Sequence, residues 1–304
     1  MGVSGGERYL PMSNMKTQKV KINGLQHQFY FWGSPKKPKL FLFHGWLDTA
    51  ASFDFLCPYL EKKFYCIAPD IRGFGKSEHT PNPLGYFFFE YIADLHEILR
   101  KFSPKEPASV LGHSMGGAFA SFYAGAFPER IRHFINVEGF AFRHNPPERG
   151  PQKARRWIEE LHTKKFQTFS TLEKFSKRLQ KSNPRLSQER AIFLAKHLTE
   201  KVHSGFRMAA DPKHKLSDPY ALPKACSYAF WNKIKAKCLL IYADETEMNQ
   251  WVKSDNLQKQ MGEWFDQFPK NSPVVEIKNC GHMIHHEKPE ELAKVVLNFL
   301  TSSS

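Results

Sequence analysis

Three stretches of the chain combine residue types that perform acyl chemistry with the spacing that chemistry needs. Gly112-His113-Ser114-Met115-Gly116 fits the pattern G-x-S-x-G and sits directly after an apolar strand-like run and directly before a helix-like one. Glycines two places to either side of a serine leave room for a sharp strand-to-helix turn that lifts the hydroxyl clear of a sheet. The backbone N–H groups that follow then point from a helix N-terminus toward developing negative charge. Phe43-His44-Gly45-Trp46 ends a second apolar run, and an HG loop in that place donates the other oxyanion hydrogen bond. The backbone N–H groups of Trp46 and Met115 are the expected donors.

A serine hydroxyl is a weak nucleophile at neutral pH and needs a base. The chain holds 14 histidines, so presence alone selects none of them. His282, in Asn279-Cys280-Gly281-His282, lies between the last strand-like and the last helix-like run, where the order serine, acid, histidine would place the base. An acid must then orient the imidazole and steady its charge. Two loops can supply it: Asp244, Glu245 and Glu247 follow Cys238–Tyr242, whereas Glu138 follows Phe134–Val137. Either strand end can approach a histidine above the nucleophile. His282-x-x-His285-His286-Glu287 matches no standard zinc spacing, so no metal or other cofactor is expected.

The elements that must hold these residues alternate. Val20–Ile22 and His27–Trp32, separated by Asn23-Gly24, read as a hairpin. Leu40–Phe43, Tyr65–Ala68, Ser109–Leu111, Phe134–Val137, Cys238–Tyr242 and Val274–Ile277 read as strands buried on both faces. Helical patterns fall at Ser52–Lys62, Phe88–Phe102, Met115–Phe127, 251–265 and Pro289–Leu300. This rhythm predicts an α/β fold with a mostly parallel sheet wrapped by helices. Between Pro146 and about Ala236 it breaks: Gln152–Thr163, Thr171–Lys181 and Ser187–Glu200 are amphipathic helical stretches with no apolar strand among them.

Leu42–Gly45, Pro69-Asp70-Ile71-Arg72-Gly73-Phe74-Gly75-Lys76-Ser77, the Ser114 turn and Gly281-His282 together resemble the α/β-hydrolase superfamily. His44-Gly45-Trp46-Leu47-Asp48 with Ala50-Ala51-Ser52-Phe53-Asp54 is similar to the serine hydrolase-like proteins within it. Lys181-Ser182-Asn183-Pro184-Arg185-Leu186-Ser187 and Thr199–Phe206 are similar too. The resemblance implies an α/β-hydrolase fold, its core at residues 1–142 and 227–304, with a helical lid at 143–226 inserted after the sixth strand. It also bears on the acid. Most of the superfamily reads G-x-x-D after the seventh strand, and Ala243-Asp244-Glu245-Thr246 puts threonine in that place. Some relatives, including some haloalkane dehalogenases, instead carry the acid at the end of the sixth strand, which Glu138 matches. The resemblance therefore favours Glu138, with Asp244 or Glu245 as alternatives. Relatives that open epoxides or displace halide carry aspartate at the elbow, so Ser114 favours attack on an acyl carbonyl. Asp70 and Arg72 are expected to shape the turn after the fourth strand.

Composition narrows the setting. The chain has 304 residues, 41% hydrophobic and 24% charged, an ordinary globular balance. No uninterrupted apolar run reaches the length of a membrane span, and the first residues lack a secretory pattern. The five cysteines never fall in C-x-x-C spacing, which suits free thiols in a reducing cytoplasm. Lys+Arg exceed Asp+Glu by 44 to 30 overall, and by 19 to 8 between Arg143 and Cys226, so most of the excess lies in the expected lid. That surface suits steering of an anionic acyl substrate or contact with an acidic membrane face. Without a recognised motif it does not indicate nucleic acid. The expectation is a cytoplasmic serine hydrolase that cleaves a carboxylic ester or related acyl bond through Ser114, His282 and Glu138. The alternatives are an idle binding protein on the same fold and a carbon–carbon bond hydrolase.

Overall fold

The computed structural model of the chain describes residues 15–140, 145–252 and 256–302. It opens on β1 (Lys16–Ile22) and β2 (Leu25–Trp32), an antiparallel pair. Asn23 and Gly24 join them with φ of 43° and 88°, the left-handed conformation that a two-residue hairpin requires. Then follow β3 (Lys39–Phe43), α1 (Cys57–Leu60), β4 (Tyr65–Pro69), α2 (Phe88–Phe102), β5 (Ala108–His113), α3 (Met115–Ala126) and β6 (Ile131–Val137). The next stretch contains α4 (Gly150–Glu160), β7 (Thr168–Phe169), α5 (Leu172–Ser182), α6 (Gln188–Leu198), β8 (Thr199–Val202), β9 (Gly205–Met208) and α7 (Lys224–Trp231). The chain ends with β10 (Lys237–Ala243), α8 (Met248–Val252), α9 (Leu257–Phe265), β11 (Val274–Ile277), α10 (Ile284–Glu287) and α11 (Pro289–Ser302).

Eight strands form the main sheet in the order β1-β2-β4-β3-β5-β6-β10-β11. From β4 onward every neighbouring pair is parallel. The alternation of β3 shows why its four residues after the exposed Lys39 are all apolar. Leu40 and Leu42 pack on one face with Val296 and Leu300 of α11, while Phe41 and Phe43 pack on the other with Leu95 of α2 and Phe119 of α3. A parallel sheet covered on both faces needs apolar residues at successive positions. The chain leaves β3 toward β4 on one side and later returns as β5 on the other. At such a reversal, loops at the carboxyl ends of the strands open a crevice. Trp46, Ser114, Glu138, Thr246 and His282 all follow carboxyl ends, those of β3, β5, β6, β10 and β11.

Three elements differ from expectation. The helix expected at Ser52–Lys62 is a 3-10 segment at Ala50–Phe55 followed by the single turn α1. Pro58 explains the break, since it offers no N–H and its ring crowds the carbonyl four residues back. The helix expected at 251–265 is divided between α8 and α9. Asn256 starts the second by accepting a hydrogen bond from Lys259 N at 2.9 Å. The stretch expected to be wholly helical also carries a three-stranded sheet, β7-β9-β8. The expected lid boundary at residues 142 and 143 lies outside the described residues. Basic side chains of this stretch pair with acids one helical turn away, as in Arg155–Glu159, Arg156–Glu160 and Lys177–Glu173. The five cysteines are free thiols. Among the described residues, no helix is long and apolar enough to cross a membrane.

Candidate active site

Ser114 is the single residue between β5 and α3, and it holds φ at 50° with ψ at −118°. A residue with a side chain is strained there, typically by about 1–3 kcal/mol, and persists only because its surroundings leave no alternative. Those surroundings are tight. Ser114 N donates to Val137 O at 2.9 Å, which ties the turn to the end of β6. A Cβ added to Gly112 would lie 2.5 Å from Gly117 N, and one on Gly116 would overlap the Phe43 carbonyl. Both glycines are therefore required by close approach, and the hydroxyl stands at the head of α3.

The loop after β3 runs against this turn. A Cβ on Gly45 would come within 3.0 Å of Ser114 Cβ. His44 secures that loop. Its Nε2 accepts from Ile71 N at 3.0 Å, so its Nδ1 carries the proton and donates to Gly45 O at 2.8 Å. Trp46 and Met115, the expected oxyanion donors, adjoin Gly45 and Ser114 in the chain. The Trp46 ring is 53% exposed and its Nε1 donates to His214 O at 3.1 Å, joining this loop to the stretch between β6 and β10.

His282 and Glu138 meet. His282 Nδ1 lies 3.0 Å from Glu138 Oε2, and both side chains are buried. Glu138 too has positive φ, 56°, and its N donates to Ile241 O at 2.9 Å, so β6 and β10 together aim it. The carboxylate accepts from Ala243 N at 2.8 Å and from Thr246 Oγ1 at 2.5 Å. Thr246 stands at the place where the resemblance to the superfamily leads one to expect an acid, and its hydroxyl holds the glutamate. Burial pushes the Glu138 carboxyl up to about 7, against the pull of those two hydrogen bonds. Burial, aided by the nearby His286, pulls the His282 imidazole down to about 3. The imidazole is thus neutral at rest, and when Nδ1–H faces the Glu138 carboxylate it keeps a lone pair at Nε2.

The other acids lie elsewhere. Asp244 Oδ1 accepts from Cys280 N at 3.4 Å, and Glu245 pairs with Arg185. Asp70 accepts from Thr49 Oγ1 and Ala50 N, each at 2.7 Å, while Arg72 makes two 2.6 Å bonds to Asp94. Both brace the turn after β4. Among the described residues, no hydrogen bond joins Ser114 Oγ to His282. The two are linked through His113, whose Nε2 lies 2.9 Å from His282 O and whose ring centre lies 4.8 Å from that of His282. Such catalytic bonds are often long without substrate and tighten in the complex. The ring of Trp251, 43% exposed, stands nearly perpendicular to that of His282, with ring centres 4.4 Å apart.

His113, Thr246 and Trp251 received no role from the sequence. Thr246 had a visible signal, an acid position without an acid. The other two had none, since their partners are remote in the chain. Beneath His282 lies a buried polar cluster. His285 Nε2 approaches Asp48 Oδ2 at 3.1 Å, Ser52 Oγ donates to the same oxygen at 3.0 Å, and His286 Nε2 lies 3.4 Å from it. Donor atoms of Asp48, His113 and His285 fall within 4.8 Å of one another, so these are the described residues able to converge on a cation. The Asp48 carboxylate already serves His285 and Ser52. Burial holds His113 and His285 well below the usual imidazole range.

A family model described as the alpha/beta hydrolase fold matches residues 38–289. The chain is 26% identical over 281 residues to a serine hydrolase-like protein of Danio rerio, covering 90% of this chain and 84% of that one. It is 27% identical over 284 residues to serine hydrolase-like protein 2 of Homo sapiens, covering 88% of each. Among solved structures it is similar to a hypothetical protein of Pseudomonas aeruginosa, with a TM-score of 0.84 and 24% identity over 94% of this chain and 99% of that one. A thioesterase domain from the curacin biosynthetic pathway gives a TM-score of 0.81 at 22% identity, over 94% of this chain and all of that domain. At these identities the structural matches speak for the fold alone.

Proposed function

Because the chain belongs to the α/β-hydrolase family, we propose that it is a serine hydrolase that cleaves a carboxylic ester or related acyl bond. The observation that carries this reading is the Glu138–His282 contact of 3.0 Å beside a serine held at φ 50°. In the proposed cycle His282 Nε2 takes the Ser114 proton as Oγ attacks the acyl carbonyl. The imidazolium that forms is stabilised by the Glu138 carboxylate, whose Oε2 faces Nδ1. The Trp46 and Met115 backbone N–H groups hold the oxyanion. His282 returns its proton to the leaving oxygen, and the acyl-enzyme forms. Water then attacks with the same base, releasing the acid and restoring Ser114. No step needs a metal or cofactor.

The segment between β6 and α7 is proposed as a lid, in a cytoplasmic enzyme, with Trp46 anchored to it through His214 O. Its basic surface is suited to drawing in anionic acyl substrates. Turnover of short p-nitrophenyl esters tests the proposal. Activity is expected in the wild type and lost in Ser114→Ala, with an exposed serine variant such as Ser302→Ala unaffected. Hydrolysis that survives Ser114→Ala overturns it, and no hydrolysis of esters or diketones by folded wild type favours a binding protein.

A further inference from the structure

The end of α5 and the turn that leads to α6 carry the Lys181–Ser187 motif, and the turn lies against the loop that carries His282. Asn183 ends α5, and both ends of its amide are engaged. Its Oδ1 accepts from Arg185 N at 3.1 Å, which turns Nδ2 toward Glu287 Oε1 at 2.9 Å. Glu287 is buried, with 3% of its side chain exposed, and its other oxygen accepts from Gly281 N at 2.8 Å. Gly281 is the residue before His282. A single carboxylate thus connects the turn to the backbone that aims the imidazole.

Arg185 repeats the connection. Its Nη2 pairs with Glu245, next to the Thr246 that holds Glu138, and its Nε lies 3.8 Å from Glu287 Oε2. A Cβ on Gly281 would meet Arg185 Nη1 at 3.4 Å, so the guanidinium lies between the two loops. Arg190, in the first turn of α6, donates to His286 O at 2.7 Å. Three residues of one short stretch therefore hold backbone or side chains on both sides of the Glu138–His282 contact.

We propose that the Asn183–Arg190 turn is a positioning device for His282: it braces the Gly281–Glu287 loop through Glu287 and the acid-side loop through Glu245. Seating of this segment and alignment of the base are then one equilibrium, so displacing the turn disengages the imidazole. The Arg185–Glu245 pair is exposed and screened by solvent. The Asn183–Glu287 bond is shielded and ends on a charged group, so it carries more of the effect. The proposal rests on the hydrolase reading only for its catalytic consequence; the brace itself is read without turnover.

Hydrogen exchange of residues 280–287 measures the brace, and p-nitrophenyl ester kinetics measure its consequence. Asn183→Ala and Arg185→Ala should each speed exchange of the segment containing Gly281, by about tenfold for Asn183→Ala. They should lower kcat with little change in KM, and Arg185→Lys should recover most of the arginine effect. Lys174→Ala, which removes an exposed charge on the face of α5 away from the loop, should change neither. Unchanged exchange in both variants overturns the brace, whatever the activity. Faster exchange with unchanged kcat overturns positioning of the base. A wild type without turnover defeats the hydrolase reading, and the exchange data then decide the brace alone.

Discussion

Glu138 and His282 stand 144 positions apart in the chain and 3.0 Å apart in space, each delivered by the end of a different parallel strand. On the proposed reading Glu138 is the acid that orients His282, so Glu138→Gln should lower kcat about a thousandfold or more, through loss of the partner that orients and charges the imidazole. Asp244→Asn and Glu245→Gln should lower it by less than about tenfold, since neither carboxylate meets the ring. Steady-state kinetics of the three variants decide the point. A larger loss from Asp244→Asn than from Glu138→Gln would contradict it.

Much of this was legible beforehand. The G-x-S-x-G turn is local, because the glycines that permit it are two residues from the serine, and the strand runs follow from burial on both faces. The resulting α/β-hydrolase fold is the one observed. The acid was not fixed by the residues, because sequence gives no distance between the ends of β6 and β10. Thr246 was visible only as a missing acid, and its hydrogen bond to Glu138 needs the coordinates. His113 and Trp251 left no trace, since each meets His282 through folding alone. The β7-β9-β8 sheet was overlooked because its strands of two to four residues are too short to show a period.

The acid should also set a stability trend. Folding raises the Glu138 carboxyl from 4.5 to about 7, so the folded chain binds that proton more tightly than the unfolded one. Between those values folding takes up a proton, and this group's contribution to stability falls as pH rises. Above about 7 the penalty is complete. Glu138→Gln should therefore gain roughly 1–3 kcal/mol over wild type at pH 8 and little at pH 4, by denaturant titration. An equal effect at both pH values would contradict the burial argument. For the same reason kcat/KM should rise with pH through a limb near 7, as Glu138 ionises beside a neutral His282.

The elbow predicts an inversion of the usual glycine penalty. At φ 50° a side chain is strained, so Ser114→Gly should be more stable than Ser114→Ala by roughly 1 kcal/mol, although both are inactive. In unstrained backbone glycine is the less stable of the two by about 0.5–1 kcal/mol. Thermal unfolding of the pair distinguishes the cases, and alanine proving the more stable would contradict strain at this turn.

The charge of the stretch from Arg143 to Cys226, 19 basic against 8 acidic residues, should act on encounter and not on chemistry. Raising salt from about 0.05 to about 0.5 M should lower kcat/KM for anionic acyl esters several-fold and leave neutral esters nearly unchanged. Equal responses for the two substrates would remove steering from the account.

Covalent capture of the nucleophile tests the central claim most directly. Intact mass spectrometry of folded protein treated with a fluorophosphonate should show one adduct, mapped to Ser114, absent in Ser114→Ala and formed far more slowly in His282→Ala. A folded wild type that takes no adduct, or an adduct that persists in Ser114→Ala, would contradict an imidazole-activated serine at this site.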